Sequence, residues 1–180
     1  MKKKKKTFLE WRIIADASNG LGFDMMKCGK PERVGTHEVM ENLDGLTMGQ
    51  MLSLSTAAGG WNVIYDICRE LMGMDEEEVN KTDAVQVVMF AGWAAGEIKR
   101  LNDMFGKIRR KETPEEKRAG IDRLDFGAFG LVDWYAKRMG IENHDDVMEV
   151  PCLRVYQCLK MDMEKDEYER RLSKIIREEK

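Results

Sequence analysis

The chain holds only two histidines and four cysteines in 180 residues. Scarce histidine removes most hydrolase designs, because a nucleophilic triad needs a base. The two available are His37 and His144. His144 lies between Asn143 and Asp145 in a helix-start context, so capping hydrogen bonds account for it. The cysteines, Cys28, Cys68, Cys152 and Cys158, form no C-x-x-C pair. Cys152 and Cys158 fall on different faces of a helix. Neither a zinc site nor a Cys152–His144 nucleophile pair is expected; buried, reduced thiols are. No G-x-S-x-G, P-loop or H-E-x-x-H string occurs. Gly20 and Gly22 do not complete a dinucleotide fingerprint, since position 25 is Met and no strand precedes them. The 33 acidic residues gather at helix starts and in i,i+4 pairs, the pattern of solvated faces. The chain is therefore read as a non-enzyme, with no catalytic, cofactor or metal residues.

Long apolar runs are also missing, so nothing is expected to span a membrane. The formal charge is -3, without the basic excess of a nucleic-acid-binding domain. Lys2–Lys6 resembles the start of a secretion signal, but Glu10 and Arg12 interrupt the apolar segment that should follow. Residues 1–6 are read as a flexible basic start and the chain as cytoplasmic. A helical regulator touching nucleic acid through Lys2–Lys6 and Lys107–Lys111 is a second alternative, and Glu112, Glu115 and Glu116 directly after the latter patch count against it. No strand pattern and no internal repeat is visible.

What is present is helical periodicity. Hydrophobic residues make up 43% and charged residues 35%, enough for one core inside a charged surface. Thr7–Ala17 places Phe8, Trp11, Ile14 and Ala15 on one face, and Ser18-Asn19-Gly20 ends it. Residues 19–42 are irregular, with a short helix expected near His37–Leu43. Thr47 caps a helix from Met48 carrying Met51, Leu52 and Ser55. Gly59-Gly60 breaks it, and Ile64, Ile67, Cys68 and Leu71 mark the next, up to Gly73. Asp75–Glu78 opens a short helix, where acid complements the macrodipole. Thr82 is expected to cap the longest helix, to about Arg110, with a stripe through Val87, Phe90, Ala94, Ile98, Leu101, Phe105 and Ile108. Gly92 and Gly96 within it suggest close approach of another helix. Thr113-Pro114-Glu115-Glu116 starts a further helix. Another runs from Phe126 to Met139 and is stopped by Gly140, Asn143 caps a short one, and Pro151 restarts the chain into a long charged helix. The architecture read from this is all-α: one helical domain over 7–180 of about seven to nine helices, with any subdivision at 7–111 and 112–180.

Two blocks carry a family resemblance. One is Leu46-Thr47-Met48-Gly49-Gln50-Met51-Leu52-Ser53-Leu54 with Ile64–Leu71 and Gly73-Met74-Asp75-Glu76-Glu77-Glu78-Val79. The other is Asp133-Trp134-Tyr135-Ala136-Lys137-Arg138-Met139-Gly140-Ile141 with Asp146-Val147-Met148-Glu149-Val150-Pro151. In element order they resemble the tail-assembly chaperones of long-tailed bacteriophages, of the lambda G and G-T type. The resemblance covers roughly residues 46–110 and 126–172. It implies no catalysis and a virion-assembly role in the host cytoplasm. The partner would be a long helical tape-measure protein, bound by more than one copy, so self-association is part of the reading. The 14 methionines suit adaptable apolar contact, and equally fill a core. The partner-binding residues proposed on this basis are Tyr156, Met163, Tyr168 and Leu172, on the last helix. A structural virion component, such as a connector or tail subunit, is the alternative.

Overall fold

The computed structural model describes residues 5–17, 29–57, 60–108 and 112–178. Among them are α1 (Phe8–Ala17), α2 (Met48–Thr56), α3 (Trp61–Met72), α4 (Glu76–Lys81), α5 (Ala84–Lys107), α6 (Pro114–Ala119), α7 (Gly127–Met139), α8 (His144–Met148) and α9 (Cys152–Glu178). One small antiparallel hairpin, β1 (Arg33–Val34) and β2 (His37–Glu38), is the only sheet among the described residues. The fold is all-α, as its periodicity indicates. It divides into two compact units: Met1–Leu43 with Ser53–Arg100, and Asp44–Leu52 with Leu101–Lys180. The division falls inside α2 and α5, each of which buries apolar residues on both sides of it: Met51 and Leu54 in α2, Ile98 and Leu101 in α5.

In the first unit, Thr7 and Glu10 form a capping box that starts α1. The Thr7 backbone N–H reaches Glu10 Oε2 at 3.0 Å, and the Glu10 N–H reaches Thr7 Oγ1 at 3.3 Å. Phe8 N–H donates to the Thr82 carbonyl (2.8 Å) and Ala84 N–H to the Lys6 carbonyl (3.0 Å), tying the start of α1 to the start of α5. Phe8 is wholly buried among Trp11, Trp61 and Tyr65, with its ring edge-on to Tyr65 at 5.7 Å. Burying a side chain of that size stabilises the fold by about 1.5–3 kcal/mol. Ile14, placed by periodicity on the same face, is instead 38% exposed, and Ala15 takes the inward position.

Thr82 does not cap α5. Its Oγ1 donates to the Glu78 carbonyl at 2.8 Å and closes α4, while Asp83 Oδ1 accepts from the Val85 N–H at 2.9 Å and opens α5. The exchange follows from chemistry. A helix end presents bare carbonyls and needs a donor, a helix start presents bare N–H groups and needs an acceptor, and a carboxylate can only accept. The short helix expected near His37–Leu43 is replaced by the β1–β2 hairpin, with Arg33 opposite Glu38 and Val34 opposite His37. Gly35 adopts φ +58° in its two-residue turn, a conformation hairpin turns require and helices do not. Val34 is fully buried, and the Gly35 N–H is held by Gln86 Oε1 at 3.1 Å. Of the segment read as irregular, residues 19–28 lie outside the described ones, as does the Ser18-Asn19-Gly20 turn.

The buried face of α5 runs through Val87, Phe90, Ala94, Ile98 and Leu101, as its periodicity indicates. Gly96 is off that face. A Cβ there would meet nothing among the described residues within 4 Å, so the close helix approach expected at Gly96 is not found. Nor is α5 the longest helix: it has 24 residues, and α9 has 27.

In the second unit, a capping box of Thr47 and Gln50 starts α2, with both hydrogen bonds at 3.2 Å. Met48 N–H donates to the Val150 carbonyl and Cys152 N–H to the Leu46 carbonyl, each at 2.8 Å, so the first turns of α2 and α9 are clamped together. Gly49 lies in this clamp. A Cβ on it would come within 3.2 Å of both Met148 Cβ and the Met148 carbonyl. Gly140 ends α7 in the left-handed region (φ +68°), and Asn143 Oδ1 accepts the Asp145 N–H at 3.1 Å to start α8. Leu46, Met48, Met51, Val132, Tyr135, Val147 and Val155 form the core here. The third capping box, Thr113 with Glu116, starts α6.

Candidate partner surface

The four residues proposed from sequence fall on two sides of α9. Tyr156 and Met163 are half-buried, and the Tyr156 ring meets Phe105 edge-on at 5.5 Å. That aromatic pair occupies Tyr156 within its own unit. Tyr168 (57%) and Leu172 (41%) are exposed, together with Met161, Ile175 and Ile176, none of which was named from sequence. Their spacing was readable. Met161 and Tyr168 are seven apart, Leu172 follows at four, and Ile175 and Ile176 at three and four more, one helix stripe about 100° wide.

The length of α9 divides at about Met163. Its first turns are anchored by Cys152 and Val155, both fully buried, and by Arg138 Nε on Asp162 at 2.9 Å. The Asp162 carboxylate raises the pKa of Arg138 above its ordinary value. Beyond Glu164 every described side chain is exposed except Arg170. Arg170 Nη2 sits 3.1 Å from Glu116 Oε1, so α6 supports this half from one side. On the polar side of α9, Asp166, Glu169, Arg170, Ser173, Lys174 and Arg177 line an open groove. The apolar stripe lies on the other side.

Charge is ordered along this half as well. Residues 162–169 hold five carboxylates and Lys165, a net of -4; residues 170–177 hold Arg170, Arg171, Lys174 and Arg177 and no acid, a net of +4.

A second exposed apolar cluster lies before and within the first turn of α7: Leu124 (65%), Phe126 (70%) and Phe129 (62%). Sequence reading counted Phe126 and Phe129 only as helix residues. Gly130 is what lets Phe126 lie against this turn, since a Cβ there would sit 2.7 Å from Phe126 Cβ. The Phe129 ring lies 5.1 Å from that of His144, whose Nε2 faces Asp133 Oδ1 at 3.3 Å. Lys137 chiefly, then His144, holds the Asp133 carboxyl below its ordinary pKa.

The residues weighed for chemistry are not gathered. His37 pairs with Glu78 at 2.8 Å in the first unit, and His144 with Asp133 in the second. Cys152 is fully buried at the start of α9, and burial pushes the Cys68 thiol up to about 12. No group of three or more His, Cys, Asp or Glu suited to a metal occurs among the described residues. Lys5 is paired with Asp83 at 3.0 Å; Met1–Lys4 and residues 109–111 lie outside the described ones. No described helix is long and apolar enough to cross a membrane. No protein-family model, curated protein or solved structure matches the chain.

Proposed function

We propose that this chain is a non-catalytic holding protein, a tail-assembly chaperone of phage type that keeps a long, helical, tape-measure-like partner from aggregating in the host cytoplasm. The observation that carries the reading is the distal half of α9: five large apolar side chains at helical spacing, on a helix fixed at its base and exposed beyond it. A helix presenting such a stripe offers the i, i+3, i+4, i+7 contacts by which another helix is held. Phe126 and Phe129 add exposed aromatic area, and Leu124 adds aliphatic area just before them. The proposed contact residues become Tyr168 and Leu172 with Met161, Ile175 and Ile176. Tyr156 and Met163 serve instead to seat the helix.

Co-expression with the long helical gene product encoded nearby tests the reading. The partner should be recovered in the soluble fraction with this chain, and Tyr168→Glu with Leu172→Glu should abolish recovery. A partner equally soluble without this chain, and never co-purified with it, removes the proposal. Mass spectrometry of finished particles separates the structural alternative, since a chaperone is left behind and a connector or tail subunit is retained.

A further inference from the structure

We propose that the start of α1 is a docking surface for an anionic lipid bilayer, on whose headgroups the chain lies without crossing. Exposed apolar area flanks Lys5 and Lys6 on two sides. One open groove beside them is lined by Glu10, Ile13 and Ile14, and another by Trp11, Asp83 and Val85. Ile13 is 58% exposed and Val85 63%, on two helices whose starts are tied together by the Phe8–Thr82 and Ala84–Lys6 backbone hydrogen bonds. Leu9 does not extend the patch. It shares its groove with Glu76 and Glu77, an edge that anionic headgroups would avoid.

Charge identifies the occupant. Lys2–Lys6 is a run of lysine alone, and the first acid after it is Glu10. Lys5 pairs with Asp83 at 3.0 Å, while Lys6 has no acidic partner among the described residues. The two acids at the patch are already engaged. Glu10 Oε2 accepts the Thr7 N–H at 3.0 Å, and Asp83 holds both Lys5 and the Val85 N–H. The patch is therefore basic and apolar at once, and an anionic bilayer answers both characters. Ammonium groups meet the headgroup charges while the aliphatic side chains enter the acyl boundary, and the two attractions together hold what either alone holds only weakly. A nucleic-acid backbone would use the lysines and leave Ile13 and Val85 facing water. An apolar protein surface would leave the lysine run without a counter-charge. The surface is built within the first unit and draws nothing from α9, so it stands apart from the holding role.

Co-sedimentation of the full chain with lipid vesicles is the test. Binding is expected on phosphatidylcholine vesicles containing ~30% phosphatidylserine and not on phosphatidylcholine alone. Raising salt from about 50 mM to about 500 mM should weaken it at least ~10-fold, as the facing charges are screened. Lys2→Gln, Lys3→Gln and Lys4→Gln together should weaken it at least ~10-fold, since each lysine near an anionic surface contributes roughly five-fold. Ile13→Ser with Val85→Ser should weaken it at least ~5-fold at unchanged helical content. Ile175→Ser with Ile176→Ser, on α9, should leave it as it is. A chain that does not sediment with the phosphatidylserine vesicles overturns the proposal. So does vesicle binding that is indifferent to Ile13 and Val85 and is matched by a DNA duplex with the same lysine dependence, which makes the run a general polyanion site. Vesicle binding lost with Ile175 and Ile176 instead places the contact on α9 and overturns it equally.

Discussion

Gly49 is the position where a single methyl group has the most to disturb. A Cβ there would come within 3.2 Å of both the side chain and the carbonyl of Met148, closer than ordinary van der Waals contact. Gly49→Ala should therefore lower stability by about 1–3 kcal/mol, the range of overpacking in a filled site, despite alanine's better helix propensity. A thermal melt against the wild type checks this, and an unchanged or raised midpoint contradicts it. Gly96→Ala, facing open space, serves as the control and should be neutral or stabilising. Cys68 offers a second residue-scale outcome. Its thiol is raised from 9.0 to about 12 because burial disfavours the thiolate. Below pH 9 both the folded and unfolded thiol are neutral and nothing is lost. Between pH 9 and 12 the unfolded thiol ionises while the folded one does not, so stability falls with rising pH, by up to about 1.4 kcal/mol per unit. Denaturant melts should show that decline, and Cys68→Ala should flatten it.

At the scale of elements, the starts of helices are where residues and structure agree most closely. Thr47, Asp75, Thr113 and Asn143 each accept the backbone N–H that their residue type and position imply. A cap is a local signal, complete within four residues, and so it can be read from the chain. Thr82 and Asp83 show the limit: two cap-forming residues stood side by side between two helices, and only the geometry assigns the donor to α4 and the acceptor to α5. The β1–β2 hairpin was less legible still. Its two-residue strands are too short for alternation to show, and what fixes them, Gln86 and Glu78, is distant in sequence. On α9 the stripe was legible by spacing, but the side it faces was not. The choice depended on where Phe105 and Glu116 lie. The six-residue helix α6 leans on one capping box and the Arg170 pair and buries no residue of its own. Thr113→Ala should therefore weaken α6 by about 1 kcal/mol and speed hydrogen exchange at Lys117 and Gly120, with little change in the global melt. Unchanged exchange there would show that α6 is held by something other than its cap.

For the whole molecule, the balance of charge is less informative than its distribution. A net of -3 says little, yet blocks of -4 and +4 lie end to end on one helix. The low count of histidine was legible in the composition. The apolar surface itself required coordinates, because Leu124, Phe126 and Phe129 look like core residues until their exposure is known. Phe126→Ser with Phe129→Ser should reduce recovery of a co-expressed helical partner at unchanged helical content, and recovery indifferent to both changes would leave these rings out of the contact.

The clamp between Thr47 and Pro151 has a consequence for the order of events during synthesis. The first turn of α2 leaves the ribosome long before the residues that satisfy its Leu46 carbonyl and Met48 N–H have been translated. Until Val150 and Cys152 emerge, that turn waits with Leu46 and Met48 uncovered, and the second unit cannot close around its own beginning. A nascent chain arrested short of Pro151 should accordingly be cut by protease near residues 44–52, and one arrested well beyond it should resist.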